Sequence, residues 1–471
     1  MKSYINSTAA ALFALLLTAC NVSKDVATPQ DTTPEAFRNT AVTTDTASIA
    51  DLPWKDFFAD TSLQSLIGQA LEHNYDMQIA LKNIEAAQLL HRQVNWNYAP
   101  DLKLQIGASS SRPSDNSLNG LSASQFLGSH HIEDFTAGVG LSWEADIWGK
   151  IRSQKRSAVA TYLQTREARN AIQTAIVSQV ATGFYNLAML DAQLEVARRN
   201  LALNDSTLRM MQLQFTAGQV TSLAIEQAEA QHLSAAQLIP RLEQNIGLQE
   251  NAISVLAGAV PAAVARHQAL QDIRLQDDMA TGFPSSIVSR RPDVRASELS
   301  LTVANARVGV TKANMYPSLS ITASGGVNSF RASNWFNIPA SLFGLVAGNL
   351  VQPLLNKKQL KTQFEVAKID RERSVLQFRQ TVLQAVGEVS DAMVTVEKLR
   401  EQHSIATRRV VTLQKAISNA NMLFESGMAN YLEVITAQSN VLQAELDIAA
   451  IRRDQLIAAV DLYRSLGGGW K

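Results

Sequence analysis

The sequence predicts a mixed α and β chain made of one unit used twice, each unit a β-hairpin leading into a long coiled-coil helical hairpin. Three observations predict it. The two halves of the chain superpose on one another, each half carries apolar residues at a 3.5-residue period, and each half carries segments with a period of two. The 471 residues are 46% hydrophobic and 18% charged, a balance that supports a large core and excludes disorder. Forty-two Lys and Arg offset 42 Asp and Glu, so no global basic field exists to hold nucleic acid. The single cysteine excludes an internal disulfide, a cysteine zinc cluster and a cysteine-pair redox site.

At the amino terminus Lys2 precedes the apolar run Ala9–Leu17, which is too short to span a bilayer and has the form of a signal-peptide core. It ends in Leu17-Thr18-Ala19-Cys20, which resembles the bacterial lipobox. On this reading residues 1–19 are removed and Cys20 becomes the lipidated first residue, held durably by several palmitate-type acyl chains. Asn21 follows Cys20 where an aspartate would retain a lipoprotein in the inner membrane, so the outer membrane is favoured. Residues 20–60, rich at first in Thr, Ala, Asp and Pro, are expected to form an extended lipidated segment.

The repeat divides the remainder into 61–265 and 266–471. Asn74-Tyr75-Asp76 through Pro100-Asp101-Leu102 aligns with Arg291-Pro292-Asp293 through Pro317-Ser318-Leu319 at an offset of 217. Further along the offset falls to 209, and Val180, Leu187, Leu190, Leu194, Ala197 and Met211 meet Val389, Val396, Leu399, His403, Ala406 and Ala420. Steps of three and four alternate, as along a coiled-coil seam. Each run stops at a glycine, in Phe215-Thr216-Ala217-Gly218 and in Phe424-Glu425-Ser426-Gly427, which suits a left-handed helix end and a tight turn. A helix from about 153 to 215 has roughly 60 residues and, at 1.5 Å each, a length of about 90 Å.

Between the helices lie the strands, in hairpins at about 101–148 and 317–353. Leu102, Leu104 and Ile106 alternate with Lys103, Gln105 and Gly107, and Phe135, Ala137, Val139, Leu141 and Trp143 alternate with Thr136, Gly138, Gly140, Ser142 and Glu144. Leu319, Ile321 and Ala323 repeat the pattern, whereas the segment from about 342 to 351 is apolar on both faces. Apolar-out, polar-in alternation is the mark of a transmembrane strand, and Lys103 or Glu144 at mid-depth in lipid would cost about 2–4 kcal/mol. Four strands leave two open edges, which lipid does not tolerate, so the chain must associate with copies of itself. Strand counting alone leaves two, three or four copies open.

Little points to catalysis. The seven histidines are scattered, and the adjacent pair His130-His131 falls in a loop without cysteine or a helical partner. Gly138-Val139-Gly140 lacks the strand–turn–helix setting of a phosphate loop. We expect no catalytic residue, no metal and no cofactor.

Several segments taken together carry a family resemblance. They are Arg290-Arg291-Pro292-Asp293-Val294-Arg295-Ala296-Ser297-Glu298, Tyr316-Pro317-Ser318-Leu319, Trp143-Glu144-Ala145-Asp146-Ile147-Trp148-Gly149-Lys150 and the ending Asp461-Leu462-Tyr463-Arg464-Ser465-Leu466-Gly467-Gly468-Gly469-Trp470. With the lipobox, they make the chain similar over essentially its whole length to the TolC-like outer-membrane factor family. The similarity is to its lipoprotein branch, which serves resistance-nodulation-division drug efflux pumps.

The resemblance implies a homotrimer whose strands form one outer-membrane β-barrel, continued by a periplasmic α-helical barrel. The trimer would be a passive exit duct fed by an inner-membrane pump of that class through a periplasmic adaptor. An equatorial belt would draw on residues 240–290 and the carboxy-terminal segment.

The adaptor-facing tips would be formed by Phe215, Gly218, Val220 and Ser222 in one repeat and Phe424, Gly427, Asn430 and Tyr431 in the other. Leu432 matches an apolar constriction residue of the family, but Thr436 stands one turn on where many members have an aspartate. Any gate would then be apolar or would use Glu425 or Glu433, while packing inside the hairpin is the other reading of Leu432. The alternative function is a periplasmic coiled-coil scaffold or adaptor lipoprotein without a pore. An outer-membrane lipoprotein enzyme would explain only the anchor.

Overall fold

The computed structural model describes residues 48–274, 280–281 and 285–471. The signal peptide, the lipobox and Cys20 lie outside the described residues. The chain divides into two compact units, one comprising residues 85–163 and 298–376, the other residues 48–84, 164–297 and 377–471.

In chain order the main elements are α1 (Thr61–His73), α2 (Tyr75–Asn95), β1 (Asp101–Ser111), β2 (Ile132–Ala145), α3 (Lys150–Thr216), α4 (Ser222–Leu256), α5 (Pro292–Ala313), β3 (Ser318–Ser329), β4 (Leu342–Val351), α6 (Gln359–Glu425) and α7 (Tyr431–Ser465). The repeat is accurate to the residue. The helices α3 and α6 each have 67 residues, α4 and α7 each have 35, and both pairs start and stop 209 residues apart.

The first unit contains one antiparallel sheet in the order β1-β2-β3-β4. Its register places Leu104, Val139 and Gly325 side by side, and likewise Ile106, Ala137 and Val327. One face is therefore apolar. On the other, Lys103 is opposite Gly140, and Glu144 is opposite Ser320.

The fourth strand, which showed no alternation in the sequence, follows from this register. Gly138, Gly326 and Phe343 are paired in a row on the polar face. A Cβ at 138 would come within 3.2 Å of the Phe343 ring, so the aromatic ring occupies room that the glycines leave. Gly344 and Gly348 fall on the apolar face, where their neighbours Gly325 and Ile321 complete the surface.

In the second unit the seam of α3 is the core. Val180, Phe184 and Leu190 are buried with Leu63 and Ile67 of α1 and Leu456 of α7. Burying each large apolar side chain contributes about 1.5–3 kcal/mol. The matching seam of α6 joins Phe378, Val382, Ala385 and Val389 to Leu462, Tyr463 and Leu466.

Residues 20–60 were expected to be extended, yet from Ser48 the segment is packed. Ser48 caps a short 3-10 turn, Ile49, Ala50, Trp54 and Phe58 are buried, and Phe57 stacks on Tyr463 with ring centroids 4.1 Å apart. The Tyr463 hydroxyl donates to the Leu52 carbonyl at 2.7 Å. Burial pushes this phenol up to about 12.

The same glycine geometry closes α4 and α7. Gly258 has φ +69° and Gly467 has φ +94°, and a Cβ would sit 2.3 Å from the His73 carbonyl oxygen in one repeat and 2.9 Å from that of Arg290 in the other. Only glycine fits this approach.

Candidate functional site: the pore wall and the helical tips

The sheet is a wall with two unpaired edges. The outer strands expose Leu102, Leu104 and Ile106 on β1 and Val346 and Leu350 on β4, with Leu104 at 72% and Val346 at 78%. Aromatic residues frame the strand ends. At one end Trp143 donates its indole N–H to the Tyr98 carbonyl at 2.9 Å, and Trp148 donates to Pro317 at 2.7 Å while stacking on Tyr316. At the other, Phe135 meets Trp335, which lies against Phe336. Two aromatic girdles around an apolar band are the construction of an outer-membrane strand wall. Lys150 forms an ion pair with Glu144 at 2.9 Å, keeping that carboxylate satisfied on the polar face.

At the tips both glycines adopt the left-handed conformation expected of them, each with φ +73°. Gly218 N–H donates to Phe215 and Gln219 N–H to Gln214, while Gly427 N–H donates to Phe424 and Met428 N–H to Leu423. This pattern satisfies the last carbonyls of α3 and α6.

The two tips share one small core of Met211, Ala228, Phe424 and Val434, with Tyr431 packed against it. Phe424 was expected to face an adaptor, but at 7% exposure it holds the hairpins together. Phe215 and Ser222 are exposed, and Val220 is half-buried. Asn430 caps α7 by accepting from Leu432 N–H at 3.0 Å and Glu433 N–H at 3.2 Å. Glu425, Leu432, Glu433 and Thr436 are exposed, so Leu432 is not packed within its own hairpin. Above this core Gln438, fully buried, donates to the Thr207 hydroxyl at 2.7 Å.

Two clasps that the sequence did not reveal fix the helix ends of the second unit. Asn74 donates its side-chain amide to the Leu256 carbonyl at 2.9 Å, and Arg291 donates to the Ser465 carbonyl at 3.1 Å. Arg291 also pairs with Asp293 at 2.6 Å and Glu388 at 2.7 Å. Burial alone would raise the Asp293 carboxyl, but the bonds and charge of Arg291 outweigh it and hold the group below its ordinary value. The signal was the 217-residue match of Asn74 with Arg291, in which both side chains are amide or guanidinium donors.

Among the described residues no helix is long and apolar enough to cross a membrane, and no group of three or more His, Cys, Asp and Glu could hold a metal ion. His130 contacts Asp115 at 3.1 Å in an exposed loop.

A girdled strand wall joined to paired helical hairpins defines the class as an outer-membrane efflux channel. The chain belongs to the outer membrane efflux protein family, whose profile matches residues 66–259 and 283–468. Among its relatives, cation efflux system protein CusC of Escherichia coli O157:H7 is 27% identical over 464 residues, 97% of each chain. Toluene efflux pump outer membrane protein TtgI of Pseudomonas putida is 29% identical over 418 residues, 88% of this chain and 87% of that one. A solved membrane protein from Pseudomonas aeruginosa is 25% identical and superposes with a TM-score of 0.85, covering 95% of this chain and 100% of that chain. The outer-membrane channel OprN, 23% identical, has the same fold with a TM-score of 0.86 over 96% of this chain and 100% of its own. The protein is thus an outer-membrane efflux component that extends into the periplasm.

Proposed function

We propose that the chain assembles as a homotrimer in which β1 of one copy pairs with β4 of the next, and three four-stranded sheets close a twelve-stranded barrel. The trimer is the passive exit duct of a tripartite efflux system. It receives cargo from an inner-membrane pump of the resistance-nodulation-division class through a periplasmic adaptor, performs no chemistry and consumes no energy. Cys20 carries the acyl anchor in the outer-membrane lipid.

The observation that carries this reading is the pair of unsatisfied edges on a sheet with one apolar face, since open strand edges do not persist in lipid. It also weighs against a scaffold without a pore, which has no use for an apolar strand face framed by aromatics.

The adaptor surface consists of Phe215, Gly218, Val220, Ser222, Gly427 and Asn430, with Phe424 and Tyr431 packed beneath. Leu432 and Thr436, one turn apart on the exposed face of α7, line the constriction together with Glu425 and Glu433. CusC is named for cations and TtgI for toluene, and a passive conduit leaves that choice to the pump.

The test is the mass of the detergent-purified protein together with single-channel recording in planar bilayers. Trimers that conduct are expected. A monomer that gives no conductance would overturn the proposal.

A further inference from the structure

The connector from β4 to α6, residues 352–358, is longer than its counterpart between β2 and α3, residues 146–149. It runs Gln352-Pro353-Leu354-Leu355-Asn356-Lys357-Lys358, and Lys361 follows one turn into the helix. Among the described residues Leu354 is 86% exposed and Leu355 is 99% exposed. Lys357 and Lys358 have φ +47° and +61°, the left-handed region that L side chains rarely adopt. At the 209-residue offset Lys358 matches Gly149, itself at φ +75°, so one repeat meets this turn with glycine and the other with a lysine. Lys357 matches Trp148, whose indole is tied to the protein through Pro317. Lys357, Lys358 and Lys361 are all exposed, and the carboxylates nearest in sequence are already engaged, Glu365 by Lys368 and Asp370 by Arg373.

The depth of this connector is set by the sheet. Val351 pairs with Ser318 in the last rung, level with the girdle of Tyr98, Trp143, Trp148 and Tyr316, which marks the inner boundary of the apolar band. Two leucines followed by three lysines at that level have the amphipathic order of a membrane-surface segment. In that order an apolar pair can enter the acyl region while ammonium groups reach the phosphates.

We propose that Leu354, Leu355, Lys357, Lys358 and Lys361 form a binding site for anionic glycerophospholipid in the periplasmic leaflet. The charge of the ligand is argued from the three exposed lysines, none of which forms an ion pair among the described residues. The site rests on the membrane reading of the sheet, and its test is separable from that reading because it is done on the conducting oligomer. Once assembled, the three copies present a ring of such sites, which fixes the depth of the barrel at its inner rim and marks the boundary to the periplasmic part.

The experiment is native mass spectrometry of the full-length oligomer released from detergent supplied with phosphatidylglycerol or phosphatidylethanolamine. The wild type is expected to retain phosphatidylglycerol preferentially. A variant carrying Lys357→Gln, Lys358→Gln and Lys361→Gln is expected to lose about tenfold or more of that retention, as each lysine near an anionic surface contributes of order a factor of five. A variant with Leu354→Ser and Leu355→Ser is expected to lose retention while remaining oligomeric and conducting. Unchanged phosphatidylglycerol retention in the lysine variant would overturn the proposal. So would displacement of the lipid by millimolar inorganic phosphate with the leucine variant binding normally, which would make the lysines a bare anion site. Loss of the oligomer in the leucine variant, with retention per chain unaltered, would show that a second copy covers the leucines and would equally overturn it.

Discussion

Arg291 reaches across the second unit to the carbonyl of Ser465, the last residue of α7, and Asn74 makes the corresponding bond to Leu256, the last residue of α4. In both repeats a donor just ahead of a helix ties down an otherwise unpaired carbonyl at the end of another. The arginine does more, because it is 92% buried by the protein and also neutralises Asp293 and Glu388, whereas Asn74 is uncharged. Removing Arg291 leaves two carboxylates and a helix end without their partner. Arg291→Ala is expected to lower stability by about 3 kcal/mol, the lower end for a broken buried pair, since both acids keep partial access to water. Asn74→Ala is expected to cost about 1 kcal/mol. Denaturant unfolding of the detergent-solubilised protein ranks the two, and equal losses would show that the ionic part contributes nothing.

The same cluster sets an acid limit. The folded Asp293 has a carboxyl held below its ordinary value, so its contribution to stability is present above the unfolded pKa of about 3.9 and is lost as pH falls through the lower folded value. The wild type is therefore expected to lose stability between about pH 4 and the folded value. Asp293→Asn is expected to flatten that slope in a titration of unfolding midpoint against pH. A profile identical to wild type would remove Asp293 from the acid response.

Much of this was legible in the sequence because it is periodic. The heptad seam gave α3 and α6, the matched Phe215 and Phe424 gave the tips, and alternation gave three of the four strands. Arg291 was visible only as part of a motif, since nothing in a periodicity tells which carbonyl a guanidinium will find 174 residues away. Phe343 defeated the alternation of β4 because its place depends on glycines at 138 and 326 in two other strands. Ile49, Ala50 and Trp54 were hidden behind a polar leader, and their burial against distant helices is a tertiary fact without a local pattern.

Gly218 and Gly427 have open space where a side chain would stand, so a substitution there is opposed by the backbone alone. Gly427→Val or Gly218→Val is expected to strain the turn by about 1–2 kcal/mol, leaving the oligomer folded while weakening capture by the adaptor. Drug susceptibility and adaptor pull-down read this out. Full resistance with undiminished pull-down would place the adaptor contact elsewhere.

Cys20→Ala is expected to remove the acyl chains while the strands still insert. Membrane fractionation should then find oligomers in the outer membrane with unaltered conductance. Their complete loss would mean that the anchor is needed for assembly and that the sheet cannot enter the membrane by itself.

Leu432 and Thr436 give the sharpest test of the constriction. Both face away from the hairpin core that holds Phe424 and Val434, and Asn430 fixes the start of their helix. Thr436 brings no charge, while Glu425 and Glu433 near it are exposed carboxylates. If the four residues surround the narrowest passage, Thr436→Asp adds one carboxylate per copy where the pore is tightest and least screened, and cation selectivity must rise. A reversal potential measured across a tenfold salt gradient is expected to move toward the cation limit in Thr436→Asp. Leu432→Ala is expected to raise conductance without moving that potential, because it widens the passage and leaves its charge alone. If both variants record as wild type, the current is limited at another level and the tip is open in the isolated protein.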